Sequence, residues 1–120
     1  MIRTSNKSVA QSYPSSSLFH PVVDLGVVST AALDFQDGDT FKCDTDSGSS
    51  LTITIANARE GAQLALYIDE VDSESHNLTF PSGWKWLVTE PSSITADKVA
   101  VLALECFDGT TITAAWKEEA

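Results

Sequence analysis

The chain has 120 residues, which allows one domain with a modest two-layer core. Hydrophobic residues make up 42% of it and charged residues 20%, a composition typical of a globular protein and not of a disordered one. Seventeen acidic residues against seven basic ones give a net charge of −10, which disfavours binding to nucleic acid phosphates and to anionic membrane surfaces.

The first segment, residues 1–21, is predicted to be an extended N-terminal arm. It is rich in serine, has little apolar periodicity, and takes its charge from Arg3 and Lys7. Its few apolar residues are enough to dock on a neighbouring subunit but too few to fold alone; a disordered tail is the alternative. Its candidate interface residues are Tyr13, Leu18 and Phe19.

Neither a secretory signal nor a membrane span is found in the sequence. Residues 1–19 have no apolar core of the kind that a signal peptide needs, and no stretch of the chain approaches transmembrane length. We therefore expect synthesis in a cytoplasm, with no membrane partner.

Strand signals follow in close succession after Pro21. Leu51, Ile53 and Ile55 alternate with threonines, the pattern of a half-buried strand. Turns are predicted at Asp37-Gly38 and over 57–61, and a loop over 44–50. The predicted strands of this half are 22–28, 30–35, 40–43, 51–55 and 62–71.

The second half begins with a polar acidic loop over 69–77 and a short strand over 78–80. A turn then leads to Trp84 and Trp86, which alternate onto one face, and Ile94 is placed in the loop that follows. Strands over 98–107 and 111–116 are predicted to form a hairpin, with Gly109 at positive φ in a type I′ turn.

The pattern as a whole predicts an all-β fold. No helical period of useful length is present, and eight or nine short strands with frequent turns favour an antiparallel β-sandwich or jelly-roll. This domain is expected to span residues 22–117, between the arm and a solvated tail over 118–120.

The sequence from Thr79 to Trp116 also resembles that of a known family. An aromatic turn, FPSGWKW, leads through a polar loop into the hairpin, which turns at Asp108-Gly109 and ends at Trp116. This arrangement resembles small β-sandwich modules in tail-fibre and other virion proteins of tailed bacteriophages, over about Asp24 to Trp116. The resemblance implies a virion structural protein assembled in the host cytoplasm, and trimers at local three-fold positions.

Residue types that carry catalysis are few. His20 and His76 are the only histidines, and neither lies in a nucleophile motif. The carboxylates Asp69, Glu70, Asp72 and Glu74 lie in or beside one loop, which cannot supply the two facing walls of a sugar-cleaving site. We expect no catalytic residue, and a solvated acidic loop in this place.

Calcium is the most serious chemical alternative, because oxygen ligands cluster twice. Around one turn they are Asp34, Asp37 and Asp39, and in a D-x-D-x-G stretch they are Asp44, Asp46 and Ser49. The second cluster begins like an EF-hand loop, but Ile55 stands where the bidentate glutamate belongs. Aspartate and glycine in β-turns explain the same residues, so no metal and no cofactor are expected.

Cys43 and Cys106 are interpreted as small hydrophobic residues and not as a disulfide.

The sequence therefore predicts a non-enzymatic virion protein. The favoured role is a capsid decoration or cement protein that binds the major capsid protein or another virion protein, as a homotrimer and without nucleic acid. The alternative is a tail-fibre or head-fibre module that recognises a host-surface glycan through Trp84, Trp86 or the acidic loop. Trp84 and Trp86 are the candidate interface residues of the domain in the favoured role.

Overall fold

The computed structural model describes residues 21–70 and 74–120, so Tyr13, Leu18 and Phe19, His20 and Asp72 lie outside the described residues. All the regular secondary structure of these residues is β-strand, which confirms the predicted all-β class. The strands are β1 Val23–Val28, β2 Thr30–Asp34, β3 Thr40–Thr45, β4 Ser50–Ala56, β5 Ala62–Asp69, β6 His76–Thr79, β7 Lys85–Trp86, β8 Ser93–Ile94, β9 Val99–Cys106 and β10 Ile112–Glu118.

The first six strands alternate between two sheets. In the first sheet, which we call sheet A, β1, β3 and β5 pair in parallel; in the second, sheet B, β2, β4 and β6 do the same. The pairs β1–β2, β3–β4 and β5–β6 are thus three stacked rungs of a β-solenoid. The expected antiparallel sandwich or jelly-roll is wrong, although two sheets do enclose the core. The alternation of apolar and polar residues shows which side chains of a strand point inward, but it does not show which strand is the pairing partner. The same alternation is expected whether a strand pairs with its neighbour in sequence or with the equivalent strand of the next rung.

Side chains at equal positions of successive rungs stack in rows. Val23 pairs with Phe41, Phe41 with Leu66, and Leu66 with Leu102, all on the inner face of sheet A. Ala31 pairs with Ile53 on the inner face of sheet B. Each rung therefore buries its apolar row against those above and below as well as across the core, which is how repeated units that cannot fold alone become stable.

Short corners keep the rungs in register. Only Ser29 separates β1 from β2, and its carbonyl accepts a hydrogen bond of 2.9 Å from the N–H of Thr52 in the next rung. The carbonyl of Ser49 accepts an equivalent bond of 2.9 Å from Asn77 one rung further on. The backbone ladder thus continues through the corners.

Antiparallel strands cover the third rung. In sheet A, β9 pairs with β5 and β10 pairs with β9; in sheet B, β8 pairs with β6. The outermost strand of sheet A, β7, pairs with β10 in parallel. Ile94, which was expected in a loop, lies in β8 and is fully buried opposite His76. A strand of two residues is too short to show alternation, so the pattern could not predict it.

The predicted terminal hairpin is confirmed, with a longer turn. Its last pair is Cys106 with Ile112, so the loop has more residues than a two-residue type I′ turn allows, while Gly109 does have a positive φ of 90°. The Asp108 carboxylate accepts hydrogen bonds from the N–H groups of Thr110 (2.9 Å) and Thr111 (2.7 Å). These bonds, that of Thr111 first, lower the pKa of Asp108 from 3.8 to about 2. Their contribution is complete above pH 3.8 and is lost as the pH falls through about 2.

We expect Gly109→Val to destabilise the fold by about 1 kcal/mol or more, because a β-branched residue is strained at positive φ. A Cβ at this position would meet only the backbone N of Glu60, at 3.8 Å, so the cost is in the backbone and not in a clash. Gly109→Asn is the matched control, since asparagine tolerates this region. Equal urea midpoints for the two variants would contradict a left-handed conformation at residue 109.

Candidate functional site

An aromatic cluster closes the core beneath the outermost strands of sheet A. Phe80 lies at its centre, with ring centroids 4.8 Å from Trp86, 5.6 Å from Trp84 and 6.4 Å from Trp116. Trp84 and Trp86 are 5.9 Å apart, as expected for residues on one side of their segment. All four rings are half-buried against the core, so much of their surface is used in packing.

The outer face of sheet A carries an apolar surface that we call the outer patch. Ala65, Ala103 and Ala115 pair in register across β5, β9 and β10 and form the floor of an open groove of about 620 Å³. Leu87, which is 72% exposed, lines the same groove, and Tyr67, which is 48% exposed, pairs with Val101 beside it. The patch comprises Ala65, Tyr67, Leu87, Val99, Val101, Ala103 and Ala115.

Charged side chains surround this patch. They are Lys42 on β3, Asp69 on β5, Glu105 on β9 and Lys117 on β10. Glu105 accepts a hydrogen bond of 3.0 Å from the Gln63 amide. An apolar centre within a polar rim is the usual anatomy of a protein interface.

The outer face of sheet B is different in kind. Thr30, Thr52 and Thr79 pair in register across three strands, and Ala32 pairs with Thr54 beside them. These side chains are small and uncharged, and none of them is a large apolar group. The outer face of sheet A is therefore apolar at its centre, whereas the outer face of sheet B carries small uncharged side chains, most of them threonines.

A cluster of polar side chains is buried at the corner that follows β3 and β5. The Thr45 hydroxyl donates a hydrogen bond of 2.6 Å to Glu70 Oε1, and His76 Nδ1 lies 2.5 Å from Glu70 Oε2. His76 Nε2 lies 2.9 Å from the backbone carbonyl oxygen of Asp46. Both ring nitrogens of His76 thus face oxygen atoms within the cluster, so either nitrogen can donate a hydrogen bond there.

This cluster corrects the expectation of a solvated acidic loop over 69–77. Asp69 and Glu74 are exposed, but Glu70 and His76 are fully buried. A signal was present in the sequence, since Glu70 continues the inward alternation of Leu64, Leu66 and Ile68. The sequence-based prediction placed Glu70 both in the strand over 62–71 and in the acidic loop over 69–77, interpreted its carboxylate as solvated, and so missed the pair.

The two aspartate groups considered for calcium hold their own turns. Asp34 accepts hydrogen bonds from the Gln36 N–H (2.8 Å) and the Asn57 amide (2.9 Å), and these lower its pKa, the Asn57 bond first. Asp46 accepts one of 2.9 Å from the Gly48 N–H. Within residues 21–70 and 74–120, no three histidine, cysteine or acidic side chains are grouped as metal ligands.

Over the same residues, no helix is long and apolar enough to cross a membrane.

Cys43 and Cys106 are both buried free thiols. Burial first, and then the nearby carboxylates of Asp44 and Asp24, raises the pKa of Cys43 from 9.0 to about 12. The thiol is therefore protonated at neutral pH and is a poor nucleophile.

Comparison of the chain with protein-family models, with curated proteins and with solved structures finds no match.

The buried pair yields a stability prediction. His76→Leu should cost about 3–5 kcal/mol, because it leaves the Glu70 carboxylate buried without its imidazole partner. The double variant Glu70→Leu/His76→Leu should cost less than this single change, since no buried charge then remains. Glu74→Ala, an exposed acid in the same connection, should stay within about 0.5 kcal/mol of wild type. Urea unfolding of the three proteins tests this, and a double variant less stable than the single would contradict it.

A second prediction concerns Cys43. In a Cys106→Ala background, alkylation of the native protein at pH 8 should be slower than in denaturant by roughly a thousandfold or more, because the pKa shift alone reduces the thiolate to about that extent. Time-resolved mass spectrometry with iodoacetamide measures both rates. Similar rates in the two conditions would show that the thiol is open to solvent in the native protein.

Proposed function

We propose that this chain is a structural, adhesive protein of a tailed-bacteriophage virion, and that the outer patch is its contact with a partner. The observation that carries the adhesive role is the patch itself. Isolated apolar side chains are common on protein surfaces, but these lie side by side on adjacent strands around a groove. The virion setting rests on the resemblance of the aromatic turn and the terminal hairpin to phage modules.

The distribution of polar chemistry supports an adhesive role over an enzymatic one. His76 and Glu70, which are in contact, are closed to solvent at the corner that follows β5. The groove lies elsewhere, and its lining combines small apolar side chains with Asp39, Gln63, Glu105 and Thr113. Such a lining suits a complementary protein surface with a few polar anchors.

Within the virion, we favour a capsid decoration or cement protein that binds the major capsid protein. Many copies, each burying an apolar patch at junctions of the shell, would resist the pressure of the packaged DNA. The alternative, glycan recognition by a fibre module, needs aromatic faces open to a sugar ring. Trp84 and Trp86 pack on Phe80 and on each other, which favours packing for these residues.

The virion setting is tested by the composition of the particle. Quantitative mass spectrometry of purified virions should detect this chain in a fixed ratio to the major capsid protein. Its absence from particles that assemble in the same lysate would overturn the setting and leave only the adhesive role. A copy number that matches the tail, together with binding to host polysaccharide, would favour the fibre alternative.

The adhesive surface is tested by Ala103→Arg. This change places a long charged side chain on the floor of the groove, and we expect it to weaken binding to particles that lack the protein by about tenfold or more. Thr54→Arg is the matched control, since Thr54 also points outward from an inner strand, but of sheet B. Thermal unfolding should be near that of wild type for both variants. If Ala103→Arg and Thr54→Arg bind equally well to particles that lack the protein, the outer patch is not the interface.

A further inference from the structure

Two rows of side chains that differ in size lie next to each other on the outer patch. The small row is the floor of the groove, Ala65, Ala103 and Ala115. The large row lies two residues away on each strand and contains Tyr67, Val101 and Lys117. A recessed row beside a raised row is what a surface needs in order to fit a copy of itself.

A two-fold axis that runs across the strands, between the two rows, brings the small row of one copy onto the large row of the other. Such an axis reverses the strand direction in the second copy and keeps each strand opposite its own counterpart. Tyr67 of each copy then lies over Ala65 of the other, and Val101 lies over Ala103. The contact is isologous, so it closes with two copies.

A two-fold axis along the strands is less favourable. Placed at β9, it would set Glu105 against Glu105 and Ala103 against Ala103, so like charges would meet and the floor would stay unfilled. The axis across the strands instead places Gln63 opposite Asp69 of the second copy. The Gln63 amide has two N–H groups, and only one of them is needed for its bond of 3.0 Å to Glu105.

The outer face of sheet A is nearly neutral, although the chain has a net charge of −10. The charged side chains that its strands direct outward are Lys42, Lys85 and Lys117, and Asp24, Asp44, Asp69 and Glu105. Three positive charges against four negative ones leave one net negative charge on this face, so the rest of the excess lies elsewhere in the chain. Two copies that approach through this face therefore repel each other less than the net charge of the chain implies.

The size of the face indicates a weak contact. Four strands about 4.8 Å apart and seven residues of about 3.4 Å each give it roughly 19 by 24 Å, or about 450 Å². A stable complex buries about 800 Å² on each partner, so we expect a dissociation constant on the order of 10–100 μM. A contact of this strength can be displaced by a larger protein surface.

We infer that a second copy of this chain occupies the outer patch of the free protein, in a two-fold dimer with the two copies of sheet A face to face. The inference rests on the proposed function in one respect, that the outer patch is the adhesive surface. It adds how this surface is covered before attachment, since a particle gains one subunit by displacing the other.

Sedimentation equilibrium of the full chain tests the inference. Between about 1 and about 500 μM, the wild-type protein should pass from monomer to dimer and form nothing larger. Thr54→Arg, on the outer face of sheet B, should give the same curve. A wild-type chain that is monomeric throughout, or that forms trimers, would overturn the inference.

Variants of the two rows identify the contact. Tyr67→Ala should weaken the dimer by about tenfold or more, because the small row of the second copy is left unfilled. Ala65→Tyr should weaken it to a similar extent, because two tyrosines then meet. An equimolar mixture of the two variants should dimerise about as tightly as wild type, since each tyrosine again faces an alanine. A dimer that either variant leaves unchanged, or a mixture that is not restored, would place the contact elsewhere and overturn the inference.

The proposed function and the inference fail separately. If Ala103→Arg weakens attachment to particles while the wild-type chain is monomeric at every concentration, only the inference is wrong. If the dimer and the variants behave as stated while Ala103→Arg and Thr54→Arg attach equally well, the dimer is supported and the adhesive role of the patch is not.

Discussion

The constraint on which the structure depends is the parallel backbone pairing of successive rungs. Among the first six strands, consecutive strands lie in opposite sheets, so each strand pairs with the strand two positions along the chain and not with its neighbour in sequence. This single rule stacks equivalent residues in rows, as in the row from Val23 through Phe41 to Leu66. It also gives the molecule two different outer faces and two ends, each of which must be covered.

The buried cluster of Thr45, Glu70 and His76 follows from the same rule. Stacking places Thr45, the last inward position of β3, beside Glu70, the first residue after β5, and both side chains are polar. His76, at the start of β6, then supplies the imidazole that the carboxylate needs. Removing one partner from a buried polar cluster of this kind is costly, because the other partner is left buried without its contact.

Much of the strand pattern could be predicted from the sequence, and the topology could not. The alternation of Leu51, Ile53 and Ile55 predicts a half-buried strand, and Asp108-Gly109 predicts the terminal turn, because both signals are local. The choice of partner strand is not local, so the sequence alone left a sandwich and a solenoid indistinguishable by periodicity. The same limit applies to the candidate site. The sequence places Trp84 and Trp86 on one side of their segment, because they are two residues apart. It does not predict the row of Ala65, Ala103 and Ala115, because these residues lie on three strands that become neighbours only through strand pairing.

Parallel stacking of the rungs is tested most directly by engineered disulfides on the outer face of sheet B. Ala32 and Thr54 are paired neighbours in the solenoid, while Ala32 and Ser50 lie on the same two strands but out of register. Under mild oxidation, the double variant Ala32→Cys/Thr54→Cys should form an intramolecular disulfide, detected by mass spectrometry, and Ala32→Cys/Ser50→Cys should not. A disulfide in the second variant and none in the first would contradict the register, and with it the solenoid.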